Sequence, residues 1–562
     1  MTPQEFAAKW RGVTLKERSS AQEHFIDLCR LMGNPTPAEA DPDGTFFTFE
    51  RGVEKTGGGH GFADVWYRGH FAWEYKTRDR GLADAYKQLL LYRDNLENPP
   101  LLVVCDIGIF EVRTNFTNTP TQLYRWSNDE IGEPANLAVL RALFRDPDAL
   151  KPAKTLAQVT EDAAADFASL APLLTGRAVE PHRAAHFLIR VLFCLFAEDI
   201  GLLPDHLFTR VVANSLADPR TFTPRARGLF GAMATGGMFG ADNLPWFNGG
   251  LFHDVDVIDL TSEELGILHK ATTHDWASVE PAIFGTLFER SLDPTKRSQL
   301  GAHYTGKADI LRIVEPVVLA PLRARWDEVR ERAEELVAER DRVFADQAGR
   351  FDAAATRARN KATADLQAPI TRFLDELGAV TVLDPACGSG NFLYVTLALL
   401  MDLQNEVRTW SANNRVGGLL PVVTPHQLHG FEVNTYAREL AQVVIWIGYL
   451  QWMLAHYGSF DDRPILKPME TVVERDAVLA LADPAGPRAP EWPAVTATVG
   501  NPPFIGGKKL RSELGDAYVD DLFAVYAGRV PHEADYVCYW FEQARAMLAA
   551  GSVRRVGLLA TN

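Results

Sequence analysis

A chain of 562 residues is too long for one hydrophobic core and, at about 100–200 residues per domain, should hold about three or four units. With 47% hydrophobic and 23% charged residues the composition excludes a disordered polymer. A net charge of −16 argues against nucleic-acid binding, since phosphate contacts need Lys and Arg, but an acidic body can still carry local basic tracks, and Arg51–Arg80 and Gly506–Arg511 are two such tracks.

In chain order, Met1–Trp10 has neither the basic start nor the apolar run of a signal peptide. Ser19–Leu31 places Phe25, Ile26, Leu28 and Leu31 at helical spacing behind a serine pair suited to N-capping. From Thr45 to about Val112 the pattern is β-rich, with runs at Ala63–Tyr67, Phe71–Tyr75 and Leu101–Cys105 and one helix-like segment, Ala83–Asn95, between the last two. That order makes an α-β-β-β-α-β module, and we take 1–152 as the first domain. Residues 153–298 read as a mainly helical connector with a turn-like Pro245–Gly250. Within a third domain, 299–562, the Ala-, Arg- and Glu-rich stretch of about 323–377 predicts long exposed helices or a helical hairpin. From Thr381 onward short β runs alternate with helical patterns, the signature of a parallel α/β sheet. The most apolar segments, Phe187–Ala197 and Val443–Leu454, are interrupted by Arg190 and Gln451 and fall short of the ~20 apolar residues of a membrane span. We read both as core helices and expect no membrane partner. Cys29, Cys105, Cys194, Cys387 and Cys538 are far apart and odd in number, which fits neither a disulfide framework nor a paired zinc site and points to a reducing cytoplasm.

The chemistry concentrates in two places. Val380–Leu393 is an apolar strand running into an acidic, Gly-rich turn and then a helix; such a turn lies at the carboxyl end of a strand, where open parallel sheets bind ligands. Gly388 and Gly390 admit close backbone approach, and Asp384 can hold a cationic or hydroxyl-bearing group. His429–Val433 again ends a strand in an acid, Glu432, where a doubly wound fold grips ribose hydroxyls. Asp476 could accept from an adenine amino group, although an acid beginning an Ala-rich helix is as often only an N-cap. Then comes Val499-Gly-Asn-Pro-Pro-Phe504.

Taken together, these segments resemble a family. Asp384-Pro-Ala-Cys-Gly-Ser-Gly-Asn-Phe392 is similar to motif I and Asn501-Pro-Pro-Phe504 to motif IV of the DNA amino-methyltransferases, and Gly301-Ala-His-Tyr-Thr305 resembles motif X, with Gly306 where Pro or Ser is usual. The order X, I, IV is that of the gamma class. The resemblance implies a Rossmann-like fold that binds S-adenosylmethionine through Tyr304, Thr305, Asp384, Ala386, Gly388, Gly390, Phe392, Glu432, Asp476 and Asn501. It also implies methylation of adenine-N6 in double-stranded DNA through Asn501, Pro502, Pro503 and Phe504, with cytosine-N4 the alternative acceptor. The target base must be flipped out of the duplex; Phe504 offers a stacking face, and the Asn501 side-chain oxygen and Pro502 carbonyl offer acceptors to the exocyclic amine. No covalent nucleophile is required, so Cys387 is expected to be a small packed residue.

In the first domain Asp64 and the pair Glu74/Lys76 flank a Gly-containing hairpin, and strand alternation puts Glu74 and Lys76 on one face. Two carboxylates can hold Mg²⁺ and the lysine can orient water or offset phosphate charge. This resembles the PD-(D/E)xK nuclease motif, with Ala63 in place of proline; Gln88 and Tyr92 on the next helix fit the likeness, and Glu23 is a further candidate metal contact. Nuclease, helical connector and gamma-class methyltransferase in that order resemble the single-chain restriction-modification enzymes of Types IIG and IIL. Phe187–Ile200, Asn248–Phe252 and Phe284–Ser298 resemble the connector of those enzymes. Two alternatives stand beside this: a modification enzyme with an inactive nuclease fold, and a nucleic-acid-binding subunit that keeps both folds as scaffolds. The terminal run Leu558–Asn562 reads as part of a late methyltransferase strand, so a target-recognition region is expected C-terminal to it, and oligomeric state is not readable.

Overall fold

The computed structural model describes residues 1–11, 13, 17–54, 60–76, 81–247, 250–283, 305–457, 469–481 and 486–560. Tyr304, Asn248, Gly249 and the run Phe284–Ser298 lie outside these residues.

The N-terminal module is a six-stranded sheet in the order of the chain: β1 (Phe47–Glu54), β2 (His60–Tyr67), β3 (Phe71–Tyr75), β4 (Leu101–Cys105), β5 (Ile109–Thr114) and β6 (Leu123–Ser127). All neighbours are antiparallel except β3 and β4, which are parallel and joined through the helix Leu82–Tyr92. Alternation sorts the side chains of β3: Phe71, Trp73 and Tyr75 pack under the helix Glu17–Met32 with Phe25 and Leu28, whereas Ala72 packs with Leu89 and Leu90 of the other helix. Each such large apolar side chain removed from water contributes about 1.5–3 kcal/mol. The expected helix Ala83–Asn95 is shorter, ending at Tyr92 before a 3₁₀ turn, Asp94–Leu96. The β-rich region extends past Val112 to include β6, whose alternately exposed Leu-Tyr-Arg-Trp-Ser pattern marks a sheet edge.

Among its described residues the connector is helical, apart from loops and a small hairpin of β7 (Gly237–Phe239) and β8 (Asp242–Leu244). Its central helix, Pro181–Asp199, is buried almost all round. Arg190, the charge that interrupts its apolar run, is 1% exposed and donates to the carbonyls of Leu251 and Asp256, so it clamps the following loop. Gln451, the interruption in the second apolar run, donates to Ala277 and Val279 carbonyls and so ties the helix Thr435–Tyr457 to the connector. The connector helices and one face of the C-terminal sheet share a continuous core, including Phe193, Leu400 and Ile445. Ahead of that sheet stand two long helices, Ala320–Asp346 and Ala353–Gly378, packed as a hairpin.

The C-terminal sheet is wholly parallel, in the order β11-β10-β9-β12-β13, where β9 is Val382–Asp384, β10 Leu428–Glu432, β11 Val472–Glu474, β12 Val495–Gly500 and β13 Val553–Leu558. Helices Asn391–Asn413 and Thr435–Tyr457 cover one face; Val537–Ala550 covers the other with Leu383, Leu522 and Tyr526. The chain leaves β9 toward β10 on one side and later places β12 on the other, so the strand order reverses at β9/β12 and opens a crevice at their carboxyl ends. The fold is therefore α/β, with a mixed N-terminal sheet, a helical connector and a Rossmann-like parallel C-terminal sheet. All five cysteines are free, and among the described residues no helix is long and apolar enough to cross a membrane.

Candidate active sites

At the crevice, β9 ends in Asp384 and the turn to the next helix passes through Gly388 and Gly390, both at positive φ (51° and 83°). Gly390 is also constrained by space: a Cβ would lie 3.0 Å from the Ala441 Cα, so its absence lets the two covering helices meet. Asp384 is 1% exposed, with Oδ1 accepting the Ala386 N–H at 3.1 Å. Burial, opposed by that N–H and reinforced by Glu432, pushes its carboxyl up to about 8. The carboxylate also lies where a Gly500 side chain would be, so β12 can approach only with glycine there.

Glu432 closes the same turn. Its Oε2 accepts the Gly388 N–H and its Oε1 the Asn434 N–H, each at 2.9 Å, and burial raises its carboxyl against those two bonds. Asp476 follows β11, two residues past Glu474, which registers with Glu432. Its Oδ1 accepts from Val478 and Leu479 N–H at 2.8 and 3.0 Å. The capping pattern is present, but the expected Ala-rich helix does not form across the described residues 477–481, where Ala480 bridges to Arg488 instead. The second oxygen, Oδ2, accepts from the Tyr518 hydroxyl at 2.6 Å. Tyr518 bonds in turn to the Tyr536 hydroxyl at 2.7 Å. Sequence reasoning missed both tyrosines, since their partner is 42 residues away from Tyr518 and no local spacing signals it. Ala386 is partly buried, and Phe392 is buried in the shared core at 4% exposure. Cys387 is buried as expected, and burial holds its thiol well above the ordinary range.

Asn501 begins one residue beyond β12, at the same end of the sheet. Its Nδ2 donates to Thr305 Oγ1 at 2.9 Å, and its Oδ1 is buried with no hydrogen-bond partner among the described residues. Thr305 is brought there by the helix Lys307–Val314, whose N-cap is Gly306, and by the π-helical turn Glu315–Leu319 that continues it. Ile313 and Val317 of that continuous segment fill the space beside Gly557 of β13. Pro502 is buried, and Pro503 and Phe504 are partly exposed. Behind them Asp535 Oδ1 accepts the Ile505 and Val537 N–H groups at 3.3 and 3.1 Å, so one carboxylate joins the loop to the start of the helix Val537–Ala550.

In the N-terminal sheet, β2 and β3 are paired up to Val65–Trp73 and then diverge. There Asp64 Oδ2 accepts the Tyr75 N–H at 2.6 Å, which seats its carboxylate beside Glu74. Glu74 is 6% exposed and its Oε1 pairs with Lys76 Nζ at 3.0 Å on the face covered by Leu82–Tyr92. Gln88 of that helix has a buried Oε1 with no partner among the described residues; the Tyr92 side chain lies outside them. Glu23 is not brought into this group. It is exposed and pairs with Lys9 at 2.7 Å on the helix that covers the opposite face. Among the described residues one trio of possible metal ligands lies within 4.8 Å, namely Glu198, Asp199 and His206 of the connector. There Glu198 accepts from Thr209 and Asp199 from the Trp276 N–H, which is a structural use.

Comparison with known proteins assigns these parts. Three models of one family match in succession: "MmeI, N-terminal domain" over residues 1–175, "MmeI, helicase spacer domain" over 182–252 and "MmeI, DNA-methyltransferase domain" over 356–562. All three matched domains are domains of the MmeI family, and they follow one another along this chain. The solved structure of the Type IIL restriction-modification enzyme MmeI in complex with DNA is 26% identical, with a TM-score of 0.53 over 69% of this chain and 49% of that one. DNA methyltransferase A of Bacillus subtilis (strain 168) is 26% identical over 398 residues, 67% of this chain and 40% of that protein. The chain thus spans less than half the length of these two relatives.

Proposed function

We propose that the C-terminal site transfers a methyl group from S-adenosylmethionine to the N6 amino group of adenine in double-stranded DNA. The observation that carries this reading is Asn501. A buried amide oxygen without a partner costs about 1–3 kcal/mol, and it stands ready for an N–H donor that arrives with the substrate. With Nδ2 donating to Thr305 Oγ1, Oδ1 is the amide atom left available to a donor. The exocyclic amine of a flipped base is such a donor. Asn501 Oδ1 and the Pro502 carbonyl each take one N–H, which draws the nitrogen lone pair out of conjugation with the ring, while Phe504 stacks on the base.

S-adenosylmethionine supplies an electrophilic sulfonium methyl when bound. The residues at the crevice fit it: Glu432 keeps lone pairs for ribose hydroxyls beyond its two backbone bonds, Asp476 Oδ2 keeps one for the adenine amine, and Asp384 faces the approach to Gly500. Catalysis is then positioning and electrostatics.

The N-terminal site is proposed to be a Mg²⁺-dependent endonuclease, completing a cytoplasmic restriction-modification enzyme. Asp64 and Glu74 would hold the ion, whose chemistry is Lewis-acid activation of water or phosphate oxygen. Lys76, paired with Glu74 at 3.0 Å, would orient the water or offset phosphate charge.

Asn501→Ala tests the methyltransferase reading. Methyl transfer to unmodified DNA should fall on the order of a hundredfold or more while calorimetric S-adenosylmethionine affinity stays near wild type. Loss of cofactor binding with Asn501→Ala would place Asn501 in a different role.

A further inference from the structure

Asp476 is held by more than its own turn. Its Oδ1 is occupied by two backbone N–H groups, and its Oδ2 accepts the Tyr518 hydroxyl. Because the Tyr518 proton is spent on the carboxylate, the bond between the two tyrosines must run from Tyr536 O–H to the Tyr518 oxygen. Such a chain polarises each link toward the acid. Tyr536 is only 6% exposed and its own N–H donates to the Ile505 carbonyl at 3.0 Å, directly behind Phe504. Tyr526 donates to Val478 and Trp492 to Ala477, so the backbone around Asp476 is already fixed and the carboxylate plane is what Tyr518 adds.

We propose that Tyr518 is a positioning residue: it aims Asp476 Oδ2 at the cofactor's adenine amine and, through Tyr536, links that contact to the loop that holds the target base. The inference rests on the methyltransferase reading. Tyr518 stands on the short helix Asp516–Val525 between the target loop and the last covering helix, so it bridges two parts of the site that the sheet alone does not connect.

The test uses the whole chain with S-adenosylhomocysteine and S-inosylhomocysteine, which differ in presenting an amine or a carbonyl to Asp476. Wild type should prefer the adenosyl ligand, and Tyr518→Phe should reduce that preference about tenfold, the usual worth of a bond to a charged group. A merely structural tyrosine would weaken both ligands equally. Tyr536→Phe, which leaves the bond to Asp476 intact, should shift the preference less. Amide hydrogen exchange at residues 501–509 should slow on S-adenosylhomocysteine binding in wild type and not in Tyr518→Phe. An unchanged preference and unchanged exchange protection in Tyr518→Phe would overturn the role of Tyr518 with the cofactor reading standing. Failure of wild type to bind S-adenosylhomocysteine would overturn both.

Discussion

A carboxylate buried beside another acid has a consequence that can be measured through protons. Burial pushes Asp384 up to about 8, against about 4 in an unfolded chain. Between those values the folded state holds a proton that the unfolded state has lost, so this group's contribution to stability is fully present below about pH 4. It declines as pH rises toward 8. A cationic or hydroxyl-bearing part of the cofactor placed against Asp384 favours the ionised form, so binding near pH 7 should release a proton and tighten as pH rises from 6 to 8. Calorimetry in buffers of different ionisation enthalpy measures the release directly, and Asp384→Asn should abolish it. Equal proton release in Asp384→Asn would assign the linkage elsewhere. The residues proposed for this chemistry stand out in the sequence because each follows an apolar run as an acid or amide, and the fold places Asp384, Glu432 and Asn501 at strand ends. Glu23 was misplaced for the opposite reason, since helical spacing alone does not say which face of the sheet its helix covers.

At the scale of elements, the pattern of strand, glycine turn and helix marked β9, β10 and β12, because a parallel strand buried on both faces reads as a continuous apolar run. β6, β7 and β8 escaped it, being short or at an edge, with burial too partial to leave a period. The joint core of connector and methyltransferase was likewise invisible, since Gln451 and Arg190 each read as interruptions and prove to be the bonds that dock a helix or hold a loop. Glycine substitutions separate backbone conformation from packing. Gly390 and Gly551 have similar positive φ (83° and 71°), but only Gly390 faces backbone within 3.0 Å, whereas Gly551 faces open space. Gly551→Ala should cost about 1 kcal/mol for conformation, and Gly390→Ala should add an overpacking cost of about 1–3 kcal/mol. Melting temperatures in that order check the packing argument; equal losses would refute it.

Across the whole molecule, the two sites sit in different sheets with separate donor sets, so their activities should separate. Lys76→Ala in the full-length protein is expected to eliminate Mg²⁺-dependent cleavage and to spare methylation, scored on the same plasmid with and without Mg²⁺. Cleavage at the wild-type rate by Lys76→Ala would remove the nuclease assignment and leave the methyltransferase intact. The order of modules was readable because each carries its own local motif; what holds them together was not, being built from long-range packing. The most direct measurement of the central claim is transfer of labelled methyl from S-adenosylmethionine to unmodified double-stranded DNA, followed by digestion and separation of the nucleosides. The account predicts label in N6-methyladenine with wild type and on the order of a hundredfold less, or below, with Asn501→Ala. Label in N4-methylcytosine would contradict the choice of base, and a wild-type protein that binds cofactor yet leaves every nucleoside unlabelled would contradict the account itself.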